Sequence, residues 1–231
     1  MKTIKNTLSV LLLVCISATL FAQTTRTFDL KNFNKLDLSS AFKIDVKQGS
    51  FYSIIAEGDK DDLDDLVARV SSTELQIKFK DSNWGWKNRR HRVNISIVMP
   101  NLKGIDFTGA STSTVKGFGN QGNVEVKLSG ASTSEIEISA DDIKMDISGA
   151  SKSTFHGKAT NISVDLSGAS HTELGDFPVQ SADIEASGAS FIRVSAAKSL
   201  SVDASGASTI RYKGTPSVKM NTSGASSVKS E

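Results

Sequence analysis

Seven near-identical tetrapeptides run through the second half of this 231-residue chain: Thr108-Gly109-Ala110-Ser111, then Ser-Gly-Ala-Ser beginning at Ser129, Ser148, Ser167, Ser187, Ser205 and Ser223. Successive glycines are 21, 19, 19, 20, 18 and 18 residues apart. A fixed period near twenty marks a repeat architecture, in which each unit buries its apolar face only by stacking on its neighbours. Upstream of each tetrapeptide runs a short alternating segment, such as Val124 to Leu128, Ile143 to Ile147, Ile162 to Leu166 and Leu200 to Ala204. A period of two is the signature of a strand. Downstream lies a second short alternating piece, with Val115, Ile136, Phe155, Leu174, Val194 and Tyr212 as inward candidates.

Strand, turn, strand, turn leaves no room for a helical crossover. The expected fold is therefore all-β: a parallel β-helix or β-solenoid with about seven rungs of 18–21 residues. Hexapeptide periodicity is absent, and the handedness rule for parallel crossovers favours a right-handed coil. Equivalent residues of stacked rungs lie about 4.8 Å apart, so each corner residue must suit its own copies. Glycine supplies a backbone conformation that a Cβ resists, alanine keeps the corner slim, and serine hydroxyls can bond to backbone or to one another. That explains the motif without invoking a nucleophile, since seven serines with no accompanying base have no chemical logic.

The first half is less regular. Residues 42–46, 52–56, 75–79 and 93–97 read as longer strands, and 59–67 is the one helical candidate, acidic at its start with Leu63, Leu66 and Val67 on one side. Residues 24–100 are expected to form an irregular β-rich section that caps the repeat solenoid of 101–231, because an open solenoid end invites pairing with other chains.

Met1, Lys2 and Lys5 precede an apolar run from Leu8 to Phe21 that ends at Ala22-Gln23. This is the pattern of a secretory signal peptide over residues 1–22, with residues 23–231 as one mature domain exported to the periplasm or the outer surface. The run is too short for a bilayer span, and none follows. Cys15, the single cysteine, lies inside it, so the mature chain has no disulfide, thiol nucleophile or cysteine zinc site. Loss of Lys2 and Lys5 reduces 27 basic residues to 25, equal to the 25 acidic ones. A neutral balance removes the global argument for nucleic acid or an anionic membrane.

The signal peptide, the Phe42-Lys-Ile-Asp-Val-Lys-Gln48 strand, the Met99-Pro100-Asn101-Leu102 step and the Gly-Ala-Ser ladder together resemble the putative auto-transporter adhesin, head GIN domain family, over nearly all the mature chain. That family is a domain of unknown function common in Bacteroidota-type bacteria, and the resemblance implies a right-handed β-helix-like fold. No translocator barrel or C-terminal sorting domain follows the last motif, so the chain is not expected to transport itself.

Two constellations could bind something. Trp84, Trp86, Arg89, Arg90 and Arg92 lie in the chain's one dense aromatic and basic cluster, between two strands. Tryptophan faces stack on sugars, and arginine forks grip carboxylate, phosphate or sulfate. The bland alternative is a hairpin whose tryptophans pack inward. Three residues before the motif glycines, Asp146, Asp165, Glu185 and Asp203 form an acidic column on four consecutive rungs. It reads first as a solvated face and second as a Ca2+ ladder, the one cofactor that composition suggests. His91, His156 and His171 show no metal-ligand spacing. The expectation is thus a non-enzymatic envelope protein that binds a glycan or a surface protein, with no catalytic residues assigned. The alternatives are a β-helix polysaccharide lyase and a self-associating structural protein held in check by Lys213, Lys219 and Lys229 at the rung ends.

Overall fold

A computed structural model describes residues 24–80 and 90–231. Its elements are β1 (Thr24–Thr27), β2 (Lys35–Ser39), β3 (Lys43–Gln48), β4 (Ser53–Gly58), α1 (Lys60–Asp64), β5 (Leu66–Ser71), β6 (Glu74–Phe79), β7 (Asn94–Met99) and β8 (Gly104–Thr108). The repeat region supplies five long strands: β9 (Thr112–Leu128), β10 (Thr133–Ile147), β11 (Lys152–Leu166), β12 (His171–Ala186) and β13 (Phe191–Ala204). Short strands β14 (Thr209–Lys213), β15 (Ser217–Thr222) and β16 (Ser227–Ser230) complete the stack. No helix among the described residues is long and apolar enough to cross a membrane.

The strands pair in two rows joined at the Gly-Ala-Ser corners. In the first row the ends of β9 to β13 stack in parallel between β8 and β15; in the second their beginnings stack between β3 and the β14–β16 pair. Register is exact at the corners, where the six motif alanines after Ala110 each donate their N–H to the glycine carbonyl one rung below, from Ala131 to Gly109 at 2.9 Å up to Ala225 to Gly206 at 2.7 Å. All seven motif glycines have φ between 68° and 91°. The fold is thus the expected β-solenoid.

Alternation sets the core. Val126, Met145, Val164, Ile184 and Val202 fill one inner column of the first row, and Val115, Ile136, Phe155, Leu174 and Val194 fill one of the second; all are buried. Tyr212 is only half-buried. The closing serine of each motif also points inward, from Ser111 to Ser208. A second buried column, Ser113, Ser134, Ser153 and Thr172, lies two residues further on. The Ser111 and Ser170 hydroxyls find no partner among the described residues, but others satisfy one another: Ser113 donates to Ser134 at 2.7 Å, Ser132 to Ser151 at 3.0 Å and Ser190 to Ser208 at 3.2 Å. A buried polar group is tolerable on those terms.

The N-terminal section departs from a simple lid. β2 and β3 pair in parallel with β8 and β9, and β6 and β7 pair in parallel beneath β2 and β3. Two rungs of the stack therefore come from residues upstream of the repeats. The turn Ser39-Ser40-Ala41-Phe42 occupies the corner column under Gly109, whose added Cβ would lie 3.2 Å from the carbonyl carbon of Ser40. Closure of this end falls to antiparallel strands, β5 on β6, and β4 and β1 beyond β7. Helix α1 is a single turn, shorter than the 59–67 read from the sequence. Leu66 and Val70 instead follow strand alternation in β5, and the Arg26 guanidinium caps the carbonyls of Leu63 and Leu66 at 2.6 and 3.0 Å. At the other end, β15 and β16 each have a free edge among the described residues, and Met220, in the column of Met145, is 58% exposed.

Candidate binding surface

The segment joining β6 to β7 makes the same first-row to second-row crossing that Gly-Ala-Ser makes higher in the stack. The tryptophan and arginine cluster read from the sequence lies between these two strands in the chain. Trp84, Trp86 and Arg89 lie outside the described residues. Arg90 is described and half-buried, its guanidinium 4.0 Å above the Phe79 ring and 3.8 Å from the Asp65 carboxylate. Phe79 in turn tilts against Phe42 at 5.2 Å. Arg90 thus anchors the crossing through cation–π and ionic contact, whereas Arg92 is exposed. Between them His91 leans on the start of α1. Its Nδ1 lies 2.7 Å from Asp59 and 3.7 Å from Asp62, and its backbone N–H donates to Asp62 at 2.9 Å.

The acidic residues do share a column. Register places Asp106, Lys127, Asp146, Asp165, Glu185, Asp203 and Asn221 on successive rungs, and Asp37 lies below Asp106. Asp146, Asp165, Glu185 and Asp203 are exposed. The upper three border a shallow groove with Ser187, Ser205 and Ser223. Stacked outward, these carboxylates do not converge. The one grouping of three potential metal ligands among the described residues whose donor atoms lie within 4.8 Å of one another is Asp59, Asp62 and His91. No spacing in the sequence announced it, since His91 is 29 residues from Asp62.

Lower in the column the charges are less well solvated. Burial pushes the Asp106 carboxyl above its ordinary 3.8, and Asp37 one rung below pushes the same way. Asp37 is raised for matching reasons, burial first and Glu74 second. Lys127 relieves Asp106 only in part, because it is hydrogen-bonded to Glu125 at 2.9 Å, which holds the Glu125 carboxyl down. A carboxyl raised on folding binds extra protons in the native state, so its penalty is absent below pH 3.8 and grows as pH rises through the raised value. Asp106→Asn is therefore expected to stabilise the protein at pH 7 by up to about 1 kcal/mol and to have no effect at about pH 3. Thermal melts at both pH values check this; an equal shift at the two would contradict it.

On the outer side of the second row, the His171 ring stacks on Phe191 with centroids 4.5 Å apart, and its Nε2 lies 2.9 Å from Glu173. Arg193 bridges Glu173 at 2.9 Å and Glu231 at 3.0 Å. Among the described residues no histidine hydrogen-bonds a serine. His156 and His171 stand in different columns.

Comparison with known proteins agrees with this architecture. The profile of the family described as "Putative auto-transporter adhesin, head GIN domain" matches residues 32–216. No curated protein matches the chain. Among solved structures, a putative adhesin from Bacteroides fragilis NCTC 9343 superposes with a TM-score of 0.83 at 20% identity, over 90% of this chain and 97% of that one. A putative lipid binding protein from Parabacteroides distasonis ATCC 8503 gives 0.72 at 18% identity, over 90% and 96%. A putative adhesin from Parabacteroides merdae ATCC 43184 gives 0.66 at 17% identity, over the same shares. At these identities the likeness is one of fold.

Proposed function

From the premise that this chain belongs to the putative auto-transporter adhesin, head GIN domain family, we propose that it is an exported, non-enzymatic surface protein that binds a glycan or an envelope protein through the 81–92 crossing. Residues 1–22 act as its signal peptide, and the mature domain works in the periplasm or at the outer face. The observation that carries this reading is positional. The described connections from the first row to the second are Gly-Ala-Ser or Ser-Ala, whereas the segment between β6 and β7 holds both tryptophans of the chain and four basic residues from Lys87 to Arg92. Arg90 and His91 tether its exit, which reduces the ordering cost of a binding loop. Arg92, Arg89, Trp84 and Trp86 are then the recognition groups, with indole faces for sugar rings and guanidinium forks for acidic substituents.

A glycan array run beside an ultraviolet assay for unsaturated sugar products tests the proposal. Wild-type protein is expected to bind a carbohydrate class without releasing product. Trp86→Ala is expected to weaken binding by at least about tenfold, the loss typical of an aromatic anchor. Product formation would overturn the non-enzymatic reading and favour a polysaccharide lyase.

A second reading, self-association through the C-terminal end, is favoured by the free edges of β15 and β16 and the exposed Met220. Lys219 and Lys229 on those strands oppose runaway pairing. Light scattering that stays at the monomer mass as concentration rises would remove it.

A further inference from the structure

We propose that Asp59, Asp62 and His91 form a binding site for a divalent transition cation, with Zn2+ as the ion their donors suit best. The inference goes beyond glycan or protein recognition and rests on different atoms. The three side chains come from two separated pieces of chain, the N-terminus of α1 and the exit of the 81–92 crossing, yet their donor atoms lie within 4.8 Å of one another. Asp62 is the decisive member. Only 8% of it is exposed, and its carboxylate receives the His91 backbone N–H at 2.9 Å and faces the His91 ring at 3.7 Å.

A buried carboxylate normally needs a full positive charge beside it. Among the described residues the neighbouring cations are partnered elsewhere: Lys60 with Asp64 at 2.6 Å, Arg90 with Asp65 and the Phe79 ring, and Arg26 with the carbonyls of Leu63 and Leu66. His91 faces both Asp59 and Asp62, the one basic side chain among the described residues that pairs with both. A divalent ion among the three supplies the missing charge. One imidazole nitrogen and two carboxylate oxygens make a borderline donor set that suits Zn2+ in four-fold geometry, with water as the fourth ligand. Ca2+ takes six to eight oxygens and gains nothing from an imidazole. Ligation through Nδ1 requires that nitrogen to be unprotonated, so the ring proton sits on Nε2, and His91 is 69% exposed on its other side. The ion would staple α1 to the base of the crossing.

Isothermal titration of the chelator-treated protein with Zn2+ alone decides the matter, with Ca2+ as the contrast. Wild type and His171→Ala are expected to bind one Zn2+ with equal affinity, and His91→Ala and Asp62→Asn to bind it at least about tenfold more weakly. Because His91 is at the surface, the circular dichroism of His91→Ala should match the parent, which separates lost ligation from lost folding. Absence of binding at about 100 µM Zn2+, Zn2+ binding that survives His91→Ala, or Ca2+ binding as tight as Zn2+ overturns the proposal.

Discussion

Gly149→Ala is expected to destabilise the protein by about 3–5 kcal/mol, while Gly119→Ala leaves it within about 1 kcal/mol of the parent and Gly117→Ala falls between, at about 1–2 kcal/mol. The three glycines separate two causes. Gly117 has φ of 81°, but an added Cβ would meet only the Cβ of Gln48 at 3.9 Å, so alanine there incurs backbone strain alone. Gly119 lies outside the left-handed region and has nothing within 4 Å of an added Cβ. Gly149 combines φ of 74° with a Cβ position 2.4 Å from the Gly130 carbonyl oxygen and 3.0 Å from its nitrogen. That same oxygen accepts the Ala150 N–H at 2.8 Å, so it cannot retreat without breaking the corner's own hydrogen bond. Urea denaturation of the three variants measures the series. A Gly149→Ala cost no larger than that of Gly117→Ala would mean that the corners do not stack at the spacing described.

The same geometry explains what could be read in advance. Glycine is conspicuous wherever a carbonyl of the rung below occupies the Cβ position, and six of the seven motif glycines have such a neighbour at 2.4–2.7 Å. The corner at Ser39-Ser40-Ala41 lies beneath Gly109 and carries serine where the others carry glycine. A pattern keyed on glycine therefore passes over it. The clue lay in the flanking strand: Leu36-Asp37-Leu38-Ser39 alternates just as Ile105-Asp106-Phe107-Thr108 does, and the two pair in register.

Residues 49–103 then intervene between rungs that touch, and nothing local in β6 or β7 announces that they lie beneath β2 and β3. For the same reason Arg90 could be recognised by composition but not placed against Phe79 and Asp65. The buried serine columns were hidden differently. A serine next to Gly-Ala reads as turn chemistry, and only the neighbouring rung supplies the hydroxyl that makes Ser132 or Ser190 acceptable inside. Asp59, Asp62 and His91 met in space alone.

Met145→Ala is expected to cost about 2–5 kcal/mol, and Met220→Ala less than about 0.5 kcal/mol, although both methionines occupy one inner column. Register carries that column from Met145 through Val164, Ile184 and Val202 to Met220. Met145 is wholly buried between rungs on both sides, so truncation leaves a void that the parallel strands above and below cannot close. Met220 has Val202 beneath it and no described residue above, and more than half of it is already in water. In a stack where each rung contacts only its neighbours, an inner position therefore takes its worth from its place along the axis rather than from its residue type. The pair also reports on the free end. If the cost of Met220→Ala rises with protein concentration toward that of Met145→Ala, then a second copy covers β15 and β16 in solution. If the cost stays small at every concentration, that end is bare in solution.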